Sequence, residues 1–383
     1  MKLTVTSEYH CVADEGEIWS VDRGTYAAQS KFLDVFDEVT VFCRVGPGKR
    51  SDVMQKVTGD GVSIVAVPDF DDPRSFLRVA GGTMAVARVA ASAQGAFLLH
   101  APGTMASLLG SQLRRRRRTF GIEVVGDPGE SLAGATVASK VIASLASRQL
   151  RRLSSEACAS RYVTEWVLQE HYPPAAGSPT FVASDVDVPD SVFLEPVPTT
   201  RPGPVLELGF VGMLHRPYKG LDVLFDALCQ TRHPHRLGIL GDGTLRGDLA
   251  ARAAAQGLGD RVTFLGAVPT GEPVRAFLAT IDLFVQPSRT EGLPRALIEA
   301  MATGLPCLAT PVGGVPEMLD GYALVPVDDS GALARAIDAL AVDPPLRAAH
   351  AERNRMKTRG YAQSTMDELN RSFRAAIRDT TVP

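Results

Sequence analysis

Short apolar runs alternate with amphipathic segments along this chain, in two series separated by a proline-rich break. Brief runs that each lead into a helical pattern are what a parallel sheet requires, because parallel neighbours are joined only through a crossover. The first series predicts strands over 3–6, 39–43, 63–67, 97–100, 122–125 and 162–164, with helices near 25–36, 75–93, 105–115 and 138–158. Residues 173–204 are rich in Pro, Ser, Asp and Val. The pattern then restarts, with strands over 206–211, 237–240, 262–265, 283–285, 307–309 and 323–325 and helices over 331–341, 345–359 and 365–378. A chain of 383 residues exceeds what one core ordinarily covers, so each series is expected to form its own domain. In such sheets ligands collect beyond the carboxyl ends of the strands, so the loop after each apolar run is where binding residues are expected.

Composition excludes several classes. Forty Lys and Arg against 43 Asp and Glu leave a formal net charge of −3, giving no reason to expect nucleic acid as the main partner. Cys11, Cys43, Cys158, Cys229 and Cys307 are dispersed without metal-ligand or paired spacing and read as the reduced thiols of a cytoplasmic protein. The opening KLTVTS lacks the basic and long apolar regions of a signal peptide, and no run approaches the roughly 18 apolar residues of a membrane span.

The stretch EGLPRALIEAMATGLP, Glu291 to Pro306, follows an apolar run and opens an amphipathic segment, so a strand is expected to feed through a turn into a helix. Pro294 suits the first helical position, where its missing N–H costs nothing. The free N–H groups of that helix start, over Gly292, Leu293, Pro294 and Arg295, favour an anion together with the helix dipole. Glu291 lies in the turn and Glu299 two turns further on. A carboxylate accepts two hydrogen bonds at once, which matches a vicinal diol. A phosphate held between two diol-gripping carboxylates describes a nucleotide sugar. The plain alternative is a surface helix with two solvated acids and an apolar face of Leu297, Ile298 and Met301.

With Gly-Leu-Pro and Glu-Ala-Met-Ala-x-Gly-x-Pro around the two glutamates, the stretch resembles the Glu, seven residues, Glu motif of retaining glycosyltransferases of the two-Rossmann-domain (GT-B) type, family 4. The resemblance implies an α/β fold of two Rossmann-like domains facing each other across a cleft, with the C-terminal helix crossing back to the N-terminal domain. It implies an acceptor-binding domain over 1–190, a linker over 191–204, a nucleotide-sugar-binding domain over 205–360 and the returning helix over 361–383. Glu291 would contact hydroxyls of the donor sugar, and Glu299 would hold the ribose. Gly212-Met213-Leu214-His215-Arg216-Pro217-Tyr218-Lys219-Gly220 resembles the family's diphosphate loop. Lys219 fits its lysine, whose place at a helix start is understood if an anion sits there. Met213 stands where the family has an arginine. A leaving diphosphate carries about two negative charges, so Arg216, or else His215, is expected to supply part of the missing charge. The loop around Val268 lies under the base in the family. Gly241-Asp242-Gly243 reads as a tight turn or a phosphate contact, and Gly313-Gly314 resembles a second family signature that serves close packing near the site.

In the first half the resemblance is looser. The family places a glycine-rich turn after the first strand, and Gly16 is the substitute available for donor contact in a loop over 8–24 that also holds Trp19, an acceptor-binding candidate, and Asp22. A flexible acceptor-side loop is the other reading. His100, at the end of the fourth run, can donate a hydrogen bond to a sugar hydroxyl or orient the acceptor, and its His-x-Pro setting resembles the family's histidine beside the reacting sugar. It joins Lys219 and Glu291 as a catalytic candidate. Asp127 is either an acceptor-pocket residue or a turn-forming Asp before Pro128. Five consecutive arginines, Arg114, Arg115, Arg116, Arg117 and Arg118, read as a solvated loop. Contact with an anionic membrane, known for some relatives, or with a phosphorylated acceptor is the second reading.

The resemblance therefore implies a retaining, metal-independent glycosyltransferase with a nucleotide-diphosphate sugar as donor and no cofactor. There is no Asp-x-Asp motif, and Lys219, the helix start and Arg216 would stand in for a metal's charge. The acceptor class stays open among natural product, glycan and lipid-linked head group. Two other functions fit the same architecture: an epimerase or sugar phosphorylase, and a non-catalytic nucleotide-sugar-binding protein.

Overall fold

The computed structural model describes residues 1–21, 24–51, 54–70, 73–131, 137–186, 188–194 and 204–381. They form two compact units, one of Met1–Val163, Leu168–Ala183 and Glu368–Pro383, the other of Thr164–Val167 and Ser184–Asp367. The division after Ala183 precedes the stretch 191–204 expected as a linker. Residues 195–203 of that stretch, and Asp22, lie outside the described residues.

In the first unit, parallel strands run in the order Val62–Pro68, Glu38–Pro47, Lys2–Asp14, Ala96–Ala101, Gly121–Val124, Ala159–Tyr162 and Thr180–Val182. The chain builds outward to one edge, then reverses between Lys2–Asp14 and Ala96–Ala101. The second unit repeats the plan in the order Val262–Gly266, His235–Leu240, Leu206–Val211, Leu283–Gln286 and Cys307–Ala309, with its reversal between Leu206–Val211 and Leu283–Gln286. Both are Rossmann-like α/β units. On one face of the second sheet Leu208, Phe210, Leu237, Ile239, Leu283 and Val285 are buried against Leu224 and Phe225 of the helix Leu221–Leu228 and Leu333 and Ile337 of Ser330–Val342, and on the other Gly209 and Gly238 lie against Phe277, so the strands read as apolar runs. Each reversal separates two neighbouring loops at the carboxyl rim and opens a crevice there.

Three segments differ from expectation. Residues 323–325 form no strand: a 3₁₀ turn, Gly321–Ala323, leaves a single bridge from Leu324 to Ala309. The strand expected over 162–164 is Ala159–Tyr162, concealed in the sequence by Ser160 and Arg161, both fully or nearly buried. The expected loop over 8–24 is largely a hairpin: the first strand continues to Asp14, turns at Glu15 and Gly16, and returns as Glu17–Ser20 with Val12 opposite Trp19. Glu15 and Gly16 have φ of 50° and 79°, the left-handed pair that a two-residue hairpin turn demands. Gly16 is thus the tip of a hairpin, roughly 30 Å of extended chain beyond Thr6, rather than a turn glycine at the sheet's rim.

Glu8 stands where that glycine was expected. Its carboxylate accepts the N–H groups of Thr104 (3.0 Å), Met105 (2.7 Å) and Ala106 (3.2 Å), the opening of the helix Thr104–Arg115. Burial pushes the Glu8 carboxyl above its ordinary range against the opposing pull of the Ala106 amide, Arg44 and the Met105 amide. The protein's own Glu8 carboxyl group therefore fills the helix N-terminus at the reversal of the first sheet.

The last helix, Gln363–Thr381, belongs from Glu368 onward to the first unit, where Phe373 and Ile377 are buried beside Leu3, Ala96 and Ala159 and Arg374 pairs with Asp34 at 2.9 Å. Residues Thr164–Val167 belong to the second unit, where the Glu317 carboxylate accepts the N–H groups of Glu165, Trp166 and Val167. Among the described residues no helix is long and apolar enough to cross a membrane.

Replacing Glu8 by Ala leaves three helix-start N–H groups without their acceptor. Thermal melts should show a loss of about 1–3 kcal/mol, or several degrees of Tm. An unchanged Tm would show that the carboxylate is not the cap that holds this helix.

Candidate active site

At the reversal of the second sheet two loops emerge side by side, residues 212–220 after Leu206–Val211 and residues 287–294 after Leu283–Gln286. Their approach is backbone to backbone. Gly220 has φ 69°, and a Cβ there would lie 1.9 Å from the Pro287 carbonyl oxygen. Gly313, from the next loop, has φ 51°, and a Cβ would fall 2.0 Å from the Glu291 carbonyl oxygen. Only glycine fits either position. The contact is closed by the Gly314 N–H on the Gly292 carbonyl at 2.6 Å.

This packing brings Lys219 onto Glu291. Glu291 Oε1 accepts three hydrogen bonds, from Lys219 Nζ, Gln286 Nε2 and Ser288 Oγ, each at 2.7 Å. Its Oε2 has no donor among the described residues. Gln286 also donates to Ser288 Oγ at 3.1 Å, and the Thr310 hydroxyl donates to the Ser288 carbonyl. One carboxylate oxygen is thus saturated and holds the group in place, and the other remains for a ligand hydroxyl. Lys219 Nζ lies 5.2 Å from the centre of the Tyr218 ring. Gln286, Ser288 and Thr310 were not singled out in the sequence. The available signal was that two polar residues end an otherwise apolar run, and both are essentially fully buried.

The helix after this turn is Arg295–Ala302. Pro294 caps it at φ −70° and ψ 114° instead of occupying its first turn, and its carbonyl accepts from Leu297 and Ile298. Either place suits a residue without an N–H. The N–H groups of Gly292, Leu293 and Ala296 have no partner among the described residues, whereas Arg295 is engaged within the protein. Glu299 is 7% exposed and also has a partner. With the Glu291 side chain at 9%, the two acids are not the solvated face of a surface helix.

On the diphosphate-like loop, Met213 is 66% exposed. His215 is tied back, its Nδ1 accepting the Thr244 N–H at 3.3 Å. Arg216 is exposed and has no hydrogen bond or ion pair among the described residues. Asp242, between Gly241 and Gly243, bonds the Gly243 N–H at 2.7 Å and Arg246 at 2.9 Å, a tight turn whose carboxyl is held low by that amide and that guanidinium. Val268 is half-exposed beyond the edge strand Val262–Gly266, on a loop separate from Lys219 and Glu291. A cavity of ≈ 230 Å³ at this loop is lined by Arg216 and Lys219 together with Leu214, Leu221, Leu245 and Leu249, and neither glutamate lines it.

Arg289 joins the two loops. It forks onto Asp222 at 2.9 and 2.8 Å, donates to the Pro217 carbonyl at 2.9 Å and to Asp328 at 2.7 Å, and gives its backbone N–H to the Tyr218 carbonyl at 2.7 Å. Burial alone would raise the Asp222 carboxyl, but the Arg289 fork outweighs it and holds it below its ordinary range.

In the first unit, His100 ends the strand Ala96–Ala101 and faces Glu123, Nδ1 to Oε2 at 2.8 Å. Trp19 lies on the hairpin strand beneath Arg50 (4.5 Å) and Lys56 (5.9 Å), so it shares no loop with His100. Asp127 makes the turn: its Oδ1 accepts the Gly129 N–H (2.6 Å) and the Tyr172 hydroxyl (2.5 Å), and its Oδ2 faces His171 at 3.1 Å. The arginine run is only partly solvated. Arg114 pairs with Glu156, and Arg118 reaches the Gly95 carbonyl at 3.1 Å and covers the Phe97 ring.

Replacing Arg289 by Ala should lower stability by about 1 kcal/mol near neutral pH, since the pair is partly exposed. The depressed Asp222 value makes this stabilisation full above the ordinary Asp value near 4 and lost as pH falls through the folded one. The Tm difference from wild type should therefore shrink below about pH 4. A difference that persists undiminished to pH 2.5 would assign the effect elsewhere.

Residues 206–343, the second sheet with its helices, match the family Glycosyl transferases group 1. Protein CapJ of Staphylococcus aureus is 20% identical over 357 residues, 92% of this chain and 87% of that protein. The lipopolysaccharide core biosynthesis mannosyltransferase LpsB of Rhizobium meliloti (strain 1021) is 32% identical over 195 residues, 44% of this chain and 55% of that protein. Among solved structures, sucrose-phosphate synthase from Thermosynechococcus elongatus superposes with a TM-score of 0.73 at 17% identity, over 98% of this chain and 99% of that one. Anabaena Alr3699/HepE in complex with UDP-glucose does so with 0.64 at 17%, over 97% and 99%. At such identities the structural likeness establishes the fold, which is that of the two-Rossmann-domain glycosyltransferases.

Proposed function

We propose that this chain, whose residues 206–343 form a glycosyl transferases group 1 domain, transfers a sugar from a nucleoside-diphosphate donor to an acceptor hydroxyl with retention of configuration and without a metal. The observation that carries the reading is the Glu291 carboxylate, pinned through one oxygen by Lys219, Gln286 and Ser288 with the other left for a ligand. Glu291 Oε2 takes hydroxyls of the donor sugar and Glu299 the ribose. The N–H groups of Gly292, Leu293 and Ala296, with Lys219 and the unpaired Arg216, offset the charge that develops on the leaving diphosphate. Arg216 is favoured over His215 for the place vacated at Met213, because His215 is already bonded to Thr244. Glu291 is assigned to donor hydroxyls and not to nucleophilic attack, in keeping with a retaining reaction in which the leaving phosphate assists the acceptor. UDP, bound in Anabaena HepE, is the first nucleotide to try. Acceptor contacts are assigned to the first unit, with His100 foremost.

Thermal-shift panels of nucleoside diphosphates and nucleotide sugars, with and without chelator, test the donor site. One diphosphate should stabilise the protein selectively and independently of chelator; a ligand at 100 times its Kd adds about 2.7 kcal/mol. Glu299→Gln and Arg216→Ala should weaken nucleotide binding, and Glu291→Gln should mainly lower turnover, each by roughly 1.5–3 kcal/mol. Donor affinity unchanged in Glu299→Gln contradicts the ribose assignment. Conversion of donor without acceptor points instead to an epimerase, and stoichiometric binding without product to a non-catalytic relative.

A second reading concerns a membrane surface. On the helix Val137–Ser154, Val137, Val141, Ile142 and Leu145 are 79%, 53%, 45% and 58% exposed, with Lys140 and Arg148 exposed beside them. An aliphatic stripe flanked by cations suits an anionic lipid surface, which moves the expected contact from the arginine run to this helix. The protein should co-sediment with phosphatidylglycerol vesicles and not with phosphatidylcholine, and the double variant Val141→Asp, Leu145→Asp should abolish it. Equal binding of wild type and variant would dismiss the helix.

A further inference from the structure

His100, Glu123 and Arg161 form one rung across the first sheet. They lie on three adjacent parallel strands, His100 in register with Glu123 and Glu123 with Arg161. Glu123 Oε2 meets His100 Nδ1 at 2.8 Å and an Arg161 terminal nitrogen at 3.1 Å. Arg161 also donates to Asn370 Oδ1 at 2.8 Å, on the C-terminal helix. The Arg161 side chain is 2% exposed, that of Glu123 9%, and that of His100 23%. Burying a carboxylate and a guanidinium in a sheet interior is expensive, and apolar side chains of similar size generally serve a fold as well. The same strands do carry Leu98, Ile122, Val124 and Tyr162 elsewhere. All three members of the rung stand one residue before the carboxyl end of their strands, and His100 is the most exposed of them.

We propose that Glu123 and Arg161 are positioning residues that fix the tautomer and orientation of His100. A carboxylate can only accept, so the proton between Glu123 and His100 sits on Nδ1, and Arg161 keeps the carboxylate turned to both partners. The His100 backbone N–H, given to Thr6 Oγ1 at 2.8 Å, anchors the residue from the opposite neighbouring strand. With Nδ1 committed, Nε2 is the nitrogen that meets a sugar hydroxyl, accepting its proton in hydrogen bonding when the ring is neutral and donating when it is charged. The inference rests on the glycosyltransferase reading and adds which nitrogen acts and which residues set it.

Nitrogen-15 labelling of histidine in the folded wild-type protein, with His100 assigned by its loss in His100→Ala, reads the tautomer directly. A neutral ring should carry its proton on Nδ1; a proton on Nε2 alone overturns the proposal. A double-mutant cycle on nucleotide-sugar turnover gives the second reading. Glu123→Gln should lower kcat roughly 10- to 100-fold, the loss of one charge-assisted hydrogen bond, leave nucleoside-diphosphate Kd unchanged, and add nothing in a His100→Ala background. The same fold-loss in both backgrounds shows that Glu123 acts on the fold and not through His100. Should Glu123→Gln fail to fold, Glu123→Asp, which keeps the charge beside Arg161, enters the same cycle. If wild type turns over no nucleotide sugar, the functional reading fails, and the labelling experiment still decides the tautomer.

Discussion

The parallel pairing of Leu206–Val211 with Leu283–Gln286 is the contact on which the candidate site depends. These strands are far apart in sequence but adjacent in the sheet, and because they run in the same direction their loops leave from the same rim. Although a reversal of strand order tends to part such loops, here they meet backbone to backbone, the Arg289 N–H on the Tyr218 carbonyl. Gly220 against Pro287 and Gly313 against Glu291 then remove the space that side chains would occupy. Lys219 and Glu291 meet as a consequence, and Arg289 locks the arrangement from below through Asp222 and the Pro217 carbonyl.

The two units share a topology but treat the helix start at the reversal in opposite ways. In the first, the Glu8 carboxylate occupies the amides of Thr104, Met105 and Ala106, so the place where an anion would bind is filled by the protein. In the second, the amides of Gly292, Leu293 and Ala296 are left without a partner among the described residues and lie beside a lysine. Of these two helix starts, the one in the second unit is open to an anion.

Charge inside both units is arranged in short relays that end at the rim. Glu291 is held by Lys219, Gln286 and Ser288, and His100 by Glu123 with Arg161 behind it. Each relay satisfies one side of the terminal group and leaves the other side available. A buried charge without such partners would be costly, so the relays explain how a polar group persists in an apolar sheet end and why its orientation is narrow.

The sequence by itself determined the two series of strands, the break between them and the turn-helix that carries Glu291 and Glu299, because these depend on local periodicity and short-range turn chemistry. It also placed Lys219 at a helix start and His100 at a strand end. What it did not determine were relations between distant residues. Gly16 read as a candidate phosphate turn, but the pairing of Val12 with Trp19 makes it a hairpin tip. Asp127 read equally as pocket or turn, and its bonds to Gly129 and Tyr172 make it a turn. Gln286, Ser288, Thr310 and Arg289 carried no motif. Glu123 and Arg161 passed as unremarkable charges, though Arg161 hid the strand it belongs to. Their roles depend on register between strands, a property of pairing across the sheet that no window of neighbouring residues contains.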